Sequence, residues 1–303
     1  MITLRQLRFL VTLSDTLNFS RAAERCSVTQ PTLSAGIKEL EDRLGAQLFE
    51  RTRQSVMMTA LGEDVARRAR SVLVEAAAIE TLAKAHRNPG EGELRFGSIP
   101  TVGPYLIPAA LPLVRTRFPK LKLFLREELT ESLIEGLGQG RLDLILIALP
   151  FETGSLEIAP LFEDGYMLAK PGNAPAPVPG EDVLETSSRL MLLEKGHCLQ
   201  RHALKALPNR HLEQDESFSA TSLTTLISMV SEGLGITLLP ELAIDAGIVP
   251  EGTIKLTPLP RACPRRIALA WRPGSARKTV FLQLGEALKA ARRNQIRAAS
   301  LRS

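Results

Sequence analysis

Leu4, Leu7, Leu10 and Val11 recur at helical spacing, so residues 4–16 read as an amphipathic helix. In "NFSRAAERCSV", Ser20 is placed to cap a short helix in which Ala22 and Cys26 are i, i+4 partners, with Cys26 packing as a small apolar side chain. "TQPTLSAGIKELEDRLG" opens with Thr29 as a cap and Pro31 in the first turn, and it stops at Gly45. Between them Leu33, Ile37, Leu40 and Leu44 form one stripe for the core. Two short helices so spaced predict a helix-turn-helix. In "QLFERTRQSVMMT", Leu48–Phe49 and Val56–Met58 read as strands flanking the basic tip Arg51–Gln54, which makes a wing and completes a winged helix-turn-helix domain over residues 1–58.

Thr59 can cap a long helix from about residue 60 to 86, giving a linker segment over residues 59–87. Val65, Val72 and Ile79 recur every seven residues with Ala69, Ala76 and Ala83 four further on, a narrow seam along about 40 Å of helix suited to pairing with a second copy. "HRNPGEGE" breaks it. Beyond lies an α/β pattern over 88–303, with strand-like segments at Leu94–Ile99, Leu121–Leu125, Leu142–Leu149, Tyr166–Ala169, Leu190–Leu193, Ile236–Leu239 and Ile267–Trp271. "LDLILIAL" has the continuous apolar character of a strand buried on both faces of a parallel sheet. "KPGNAPAPVPGED" reads as a surface loop.

Composition then narrows the classes. At 303 residues, 44% hydrophobic and 23% charged, the chain can build two or three cores. It has no apolar run of the roughly 18 to 20 residues a bilayer requires and no signal-peptide core, so a cytoplasmic protein is expected. Cysteines 26, 198 and 263 are too scattered for a disulfide framework, and histidines 86, 197, 202 and 211 form no zinc-ligand spacing, so neither metal nor cofactor is expected. His202 and His211 are expected at the surface. The net charge of +5 suits a nucleic-acid partner, although the first 58 residues hold only 8 Lys/Arg against 6 Asp/Glu. At the start of the third helix, Gln30, Thr32 and Ser34 beside Pro31 are candidates for reading double-stranded DNA, while Lys38, Arg51 and Arg53 can reach phosphates or the minor groove. A paired linker helix implies a dimer and a DNA site with two-fold symmetry.

The run "SRAAERCSVTQPTLSAGIKELEDRLGAQLFERT", followed in order by wing, linker helix and α/β domain, resembles the LysR-type transcriptional regulators over nearly the whole chain. "IPTVGPYLIP", "LMLLEKGHCL", "SATSLTTLISMVSEGLGITLLP" and "PRRIALAWRPGS" resemble the peroxide-sensing OxyR group of that family. The resemblance implies a non-enzymatic regulator with a type 2 periplasmic-binding-protein-like effector domain, divided into 93–163 plus 267–300 and 164–266. It also implies a homotetramer, with RNA polymerase as a further candidate partner, and control of oxidative-stress genes. It places Cys198 of "GHC" as the thiol that meets hydrogen peroxide, surrounded by Thr101, Thr130, His197 and Arg265, with Arg266 as the alternative register. A helix-like segment after Cys198 would favour the thiolate there.

One departure matters. The group's second cysteine, nine residues after the first, is Leu207 here. Oxidation can then stop at a sulfenic acid or a mixed disulfide with a small thiol, Cys263 can resolve it, or Leu207 can be a substitution that traps one state. A different reading has a small organic anion held in the cleft by the turn "GSIPTVGP", with Ser98 and Thr101 as donors and Cys198 inert. A thiol peroxidase is a distant third, because it leaves the DNA-binding domain unexplained.

Overall fold

The structure, a computed structural model, describes residues 1–51, 56–87, 90–174, 189–194, 196–206, 218–259 and 262–301, without the side chains of 51, 78, 80–87, 198 and 204–206. Arg53, Leu207 and His211 lie outside the described residues, as do the side chains of Arg51 and Cys198. Two compact units result, Met1–Arg87 with Gly138–Arg141, and Asn88–Leu137 with Leu142–Ser303.

The first unit starts with α1 (Leu4–Thr16), closed by a capping box in which Thr3 and Gln6 satisfy each other's backbone donors. Leu17, in a left-handed conformation at φ 46°, ends it. That leaves Asn18 extended, so Asn18 rather than Ser20 caps α2 (Phe19–Arg25), its Oδ1 accepting from Arg21 N at 3.0 Å. In α3 (Gln30–Leu44), Thr29 Oγ1 accepts from Thr32 N and Gly45 closes the helix at φ 66°. Leu33, Ile37 and Leu40 are fully buried, but Leu44 is 37% exposed, because it is the last residue of the helix and solvent replaces the next turn. The wing is β1 (Phe49–Arg51) antiparallel to β2 (Val56–Met58). Glu41 Oε1 staples it to α3 by accepting from Leu48 N at 2.9 Å and Phe49 N at 3.1 Å.

Thr59 Oγ1 accepts from Gly62 N at 2.9 Å and starts α4 (Ala60–Arg87). Its first turns bury Ala66 and Ala69 in the core of this unit, and Arg70 ties it to α1 through Asp15 at 2.5 Å. Further along, Val72 and Ile79 are 47% and 70% exposed.

The second unit begins with β3 (Gly92–Ser98), α5 (Gly103–Arg117), β4 (Leu121–Glu127), α6 (Thr130–Gly138), β5 (Leu144–Leu149) and β6 (Glu157–Asp164). It continues with β7 (Tyr166–Pro171), α7 (Cys198–Ala206), α8 (Leu223–Ser231), β8 (Thr237–Pro240), α9 (Glu241–Asp245), β9 (Ile254–Pro258), β10 (Arg265–Trp271) and α10 (Lys278–Ser300). A five-stranded sheet runs β4-β3-β5-β10-β6 and a three-stranded sheet β8-β7-β9, each against its own apolar core, with Tyr105 packing on both.

β5 is buried as its apolar run predicts, yet its sheet is mixed: parallel to β3, antiparallel to β10. Sequence periodicity misses β6 and β9, both edge strands whose half-exposed residues leave no apolar run. Leu190–Leu193 is not a strand either, making only isolated bridges from Leu190 to Ile236 and from Leu193 to Ala220.

Candidate functional site: a narrow pocket at the start of α7

The turn from β3 into α5 is fixed by backbone bonds from Val102 N and Gly103 N to Ile99 O, both 3.0 Å, which present Thr101 at its bend. Gly103 has to be a glycine, since a β-carbon there would lie 2.0 Å from Ser98 Oγ. Thr130 opens α6. His197 directly precedes α7, and the glycine before it, Gly196, sits at φ 113°, a conformation that L side chains rarely adopt. Cys198 is the first residue of α7.

These segments converge on about 170 Å³ of empty space lined by Ile99, Pro100, Thr101, Leu129, Thr130 and His197, too narrow as it stands to seat a water molecule. Thr101, Thr130 and His197 are 2%, 1% and 9% exposed. Among the described residues the Thr130 hydroxyl has no hydrogen-bond partner, a cost that a bound polar molecule would relieve. Behind Thr101, Arg265 is 1% exposed and donates from Nη1 to Thr101 Oγ1 at 2.8 Å and from Nη2 to Thr101 O at 3.0 Å. Its Nε and Nη2 both reach Asp164 Oδ2, at 3.0 and 2.8 Å. Arg265 thus meets the cavity through Thr101, and its charge is balanced by a fully buried carboxylate.

Burial holds the His197 imidazole below its ordinary pKa, with the Glu194 carboxylate opposing that shift. The imidazole is therefore mostly neutral at pH 7. A depressed histidine binds fewer protons folded than unfolded, so its contribution to stability is present above about pH 6.5 and is lost as pH falls below it. His197→Asn is expected to flatten that part of the acid limb in thermal melts taken from pH 7 downwards.

The other candidates are distributed unevenly. Adjacent residues of a strand face opposite sides, so Arg265 is buried while Arg266 is exposed. Ser98, though 2% exposed, does not join the cavity; it lines a separate groove with Gly103, Pro104, Ile107, Pro108, Leu125 and Glu127. Cys263 is exposed, and Cys26 is half-buried against the core of the first unit. His202, expected at the surface, is buried, because α7 packs that face on the 150 loop and brings Nε2 to 3.0 Å from Pro150 O. Arg201, one residue before it, pairs with Glu131 at 3.2 Å and lies over the Phe151 ring at 5.0 Å. Asp164 gave no signal in the sequence; it emerges only from the pairing of β6 with β10.

On the first unit, Gln30, Pro31, Thr32 and Lys38 are exposed and Ser34 is half-buried. Thr32 Oγ1 is 2.8 Å from Thr29 Oγ1, so its hydroxyl is shared with the cap. Lys38 borders an open groove with Glu41, Asp42 and Glu50.

Residues 4–63 match the family model of the bacterial regulatory helix-turn-helix protein, lysR family, and residues 87–293 match that of the LysR substrate binding domain. The chain belongs to the LysR family. Its fold is a LysR helix-turn-helix followed by a LysR substrate binding domain of mixed α/β sheets, and the protein is a DNA-binding transcription regulator rather than an enzyme. It is 40% identical over 289 residues to the HTH-type transcriptional regulator EstR of Acinetobacter baylyi, covering 95% of this chain and 96% of that protein. It is also 40% identical, over 294 residues and 95% of each chain, to the DNA-binding transcriptional dual regulator OxyR of Escherichia coli K12; the hydrogen peroxide-inducible genes activator of E. coli O6:H1 gives the same values. The solved structure of a full-length OxyR variant from Pseudomonas aeruginosa superposes with a TM-score of 0.76 at 36% identity, over 95% of this chain and 98% of that one. Among the described residues of this LysR-type regulator, no helix is long and apolar enough to cross a membrane.

Proposed function

We propose that this LysR-type regulator senses hydrogen peroxide through Cys198 and controls oxidative-stress genes from the cytoplasm. Equal identity to EstR and OxyR leaves the effector to the site itself. The observation that carries the reading is the narrow pocket with two buried hydroxyls, Thr101 and Thr130, lined also by His197, the residue before α7 begins at Cys198. As it stands the space seats no water molecule, so a ligand as small as peroxide enters only by a small displacement of its walls. The pocket's charge is balanced by Asp164 against Arg265, which favours a neutral ligand over the organic anion of the competing reading. In the step itself the Cys198 thiolate attacks one peroxide oxygen, the S–O bond forms as the O–O bond breaks, and sulfur is oxidised to sulfenic acid. The departing hydroxide, stabilised by hydroxyl donors, is protonated to water by solvent acid, which returns the proton the thiol gave up on ionising, so thiol and peroxide become sulfenic acid and water. The sulfenic acid then persists, forms a mixed disulfide with a small thiol, or meets Cys263.

The test is peptide mass spectrometry of the reduced protein after a brief, near-stoichiometric peroxide pulse. Rapid modification confined to Cys198, or a Cys198–Cys263 bridge, is expected. An unmodified Cys198 while free glutathione in the same tube is oxidised would sink the peroxide reading in favour of an anion in the cleft.

For DNA, Gln30, Thr32 and Ser34 at the start of α3 serve as base-reading positions, and Lys38, Arg51 and Arg53 as phosphate contacts. Gln30→Ala is expected to cost about 1–3 kcal/mol against the best operator and to relax preference at one base pair. Arg51→Ala should weaken all sequences alike and lower the salt slope by about 1, both read by titration at several salt concentrations. Val72 and Ile79, seven residues apart and exposed on α4, are the proposed seam of a homodimer, and two such dimers make the tetramer the OxyR resemblance implies.

A further inference from the structure

We propose that Asp164 is a positioning residue for the peroxide chemistry, fixing the Thr101 hydroxyl as a hydrogen-bond donor into the cavity through the guanidinium of Arg265. The inference rests on the peroxide reading above.

A threonine hydroxyl has one hydrogen to give and two lone pairs to fill, whereas a guanidinium can only donate. Arg265 Nη1 therefore fills a lone pair of Thr101 Oγ1 at 2.8 Å and cannot take its hydrogen. Among the described residues nothing else accepts that hydrogen, and Thr101 lines the cavity, so the hydrogen is left for whatever enters it. This holds only while the guanidinium stays in place. Asp164 keeps it there, gripping Nε and Nη2 with Oδ2, and its own carboxylate is locked because Oδ1 accepts from Leu242 N at 2.8 Å at the start of α9. Both side chains are 0% exposed, so no water competes for either.

Topology supports the same chain of contacts. Asp164 ends β6 and Arg265 begins β10, and the two are register partners. Here the chain leaves the five-stranded sheet, with Gly165 alone separating β6 from β7 of the other sheet. A shift of the two sheets against each other would pull on Asp164 and hence on the donor in the cavity.

The experiment compares two reactions of Cys198 in the full-length protein, oxidation by hydrogen peroxide and alkylation by iodoacetamide, which needs no donor for a departing hydroxide. Asp164→Asn is expected to slow oxidation at least roughly tenfold while alkylation across pH stays within about twofold. In a Thr101→Val background the same substitution should have no further effect, because its target hydroxyl is gone. If Asp164→Asn fails to fold by circular dichroism, Arg265→Lys replaces it, since lysine cannot span both Asp164 and Thr101; the same tenfold loss is expected. Oxidation and alkylation falling together, or an undiminished effect of Asp164→Asn in the Thr101→Val background, would overturn the proposal. So would unchanged oxidation in the variant. Those results leave the peroxide reading standing, whereas a wild-type protein that does not react removes both.

Discussion

Replacing Cys198 by serine is expected to abolish every peroxide-dependent change in the protein, both the mass increase after the pulse and any change in its footprint on operator DNA. Serine keeps the shape of the residue that opens α7 but cannot present an ionised nucleophile near neutral pH, so the O–O bond is left intact. DNA binding in the reduced state should persist, because the first unit has its own core of Phe9, Leu10, Leu13, Leu33, Ile37 and Leu40. Cys263→Ser separates the downstream routes. If a sulfenic acid or a small-thiol disulfide is the active state, that variant responds as the parent does. If Cys263 resolves the sulfenic acid, the variant accumulates modified Cys198 without the bridge. Retained peroxide response in Cys198→Ser would move the sensing to another group, and response to an organic anion alone would favour the cleft-ligand reading.

The second large effect is on stability. Arg265→Met should destabilise the second unit by about 3–5 kcal/mol, because it leaves the Asp164 carboxylate buried with no cation. The fully buried position leaves no solvent to screen the charge. The double variant Asp164→Leu with Arg265→Met should recover much of the loss, since an apolar pair of similar size costs less than one unpaired buried charge. It stays short of wild type because Leu242 N loses its acceptor. Denaturant melts of the two single variants and the double variant give the coupling directly. Losses that simply add would contradict the paired-charge account.

The sequence by itself determined the elements whose causes are local. The stripe Leu33, Ile37, Leu40, the Thr29 and Thr59 caps, the Gly45 stop and the apolar run of β5 each act within a turn or two of chain, through hydrogen bonds and burial that near neighbours dictate. Even locally, competition can mislead: Ser20 and Asn18 are both good caps, and the left-handed Leu17 decided for Asn18. Edge strands β6 and β9 were invisible because their mostly exposed or half-buried residues leave no apolar run. Only the tertiary structure decided what completes the cavity. It set Arg265 inside and Arg266 outside, turned Ser98 into another groove, buried His202 against Pro150, and brought in Asp164 across 101 residues of chain. An ion pair between such distant residues leaves no periodicity to read, because its register exists only once β6 and β10 lie side by side and exclude water from both charges.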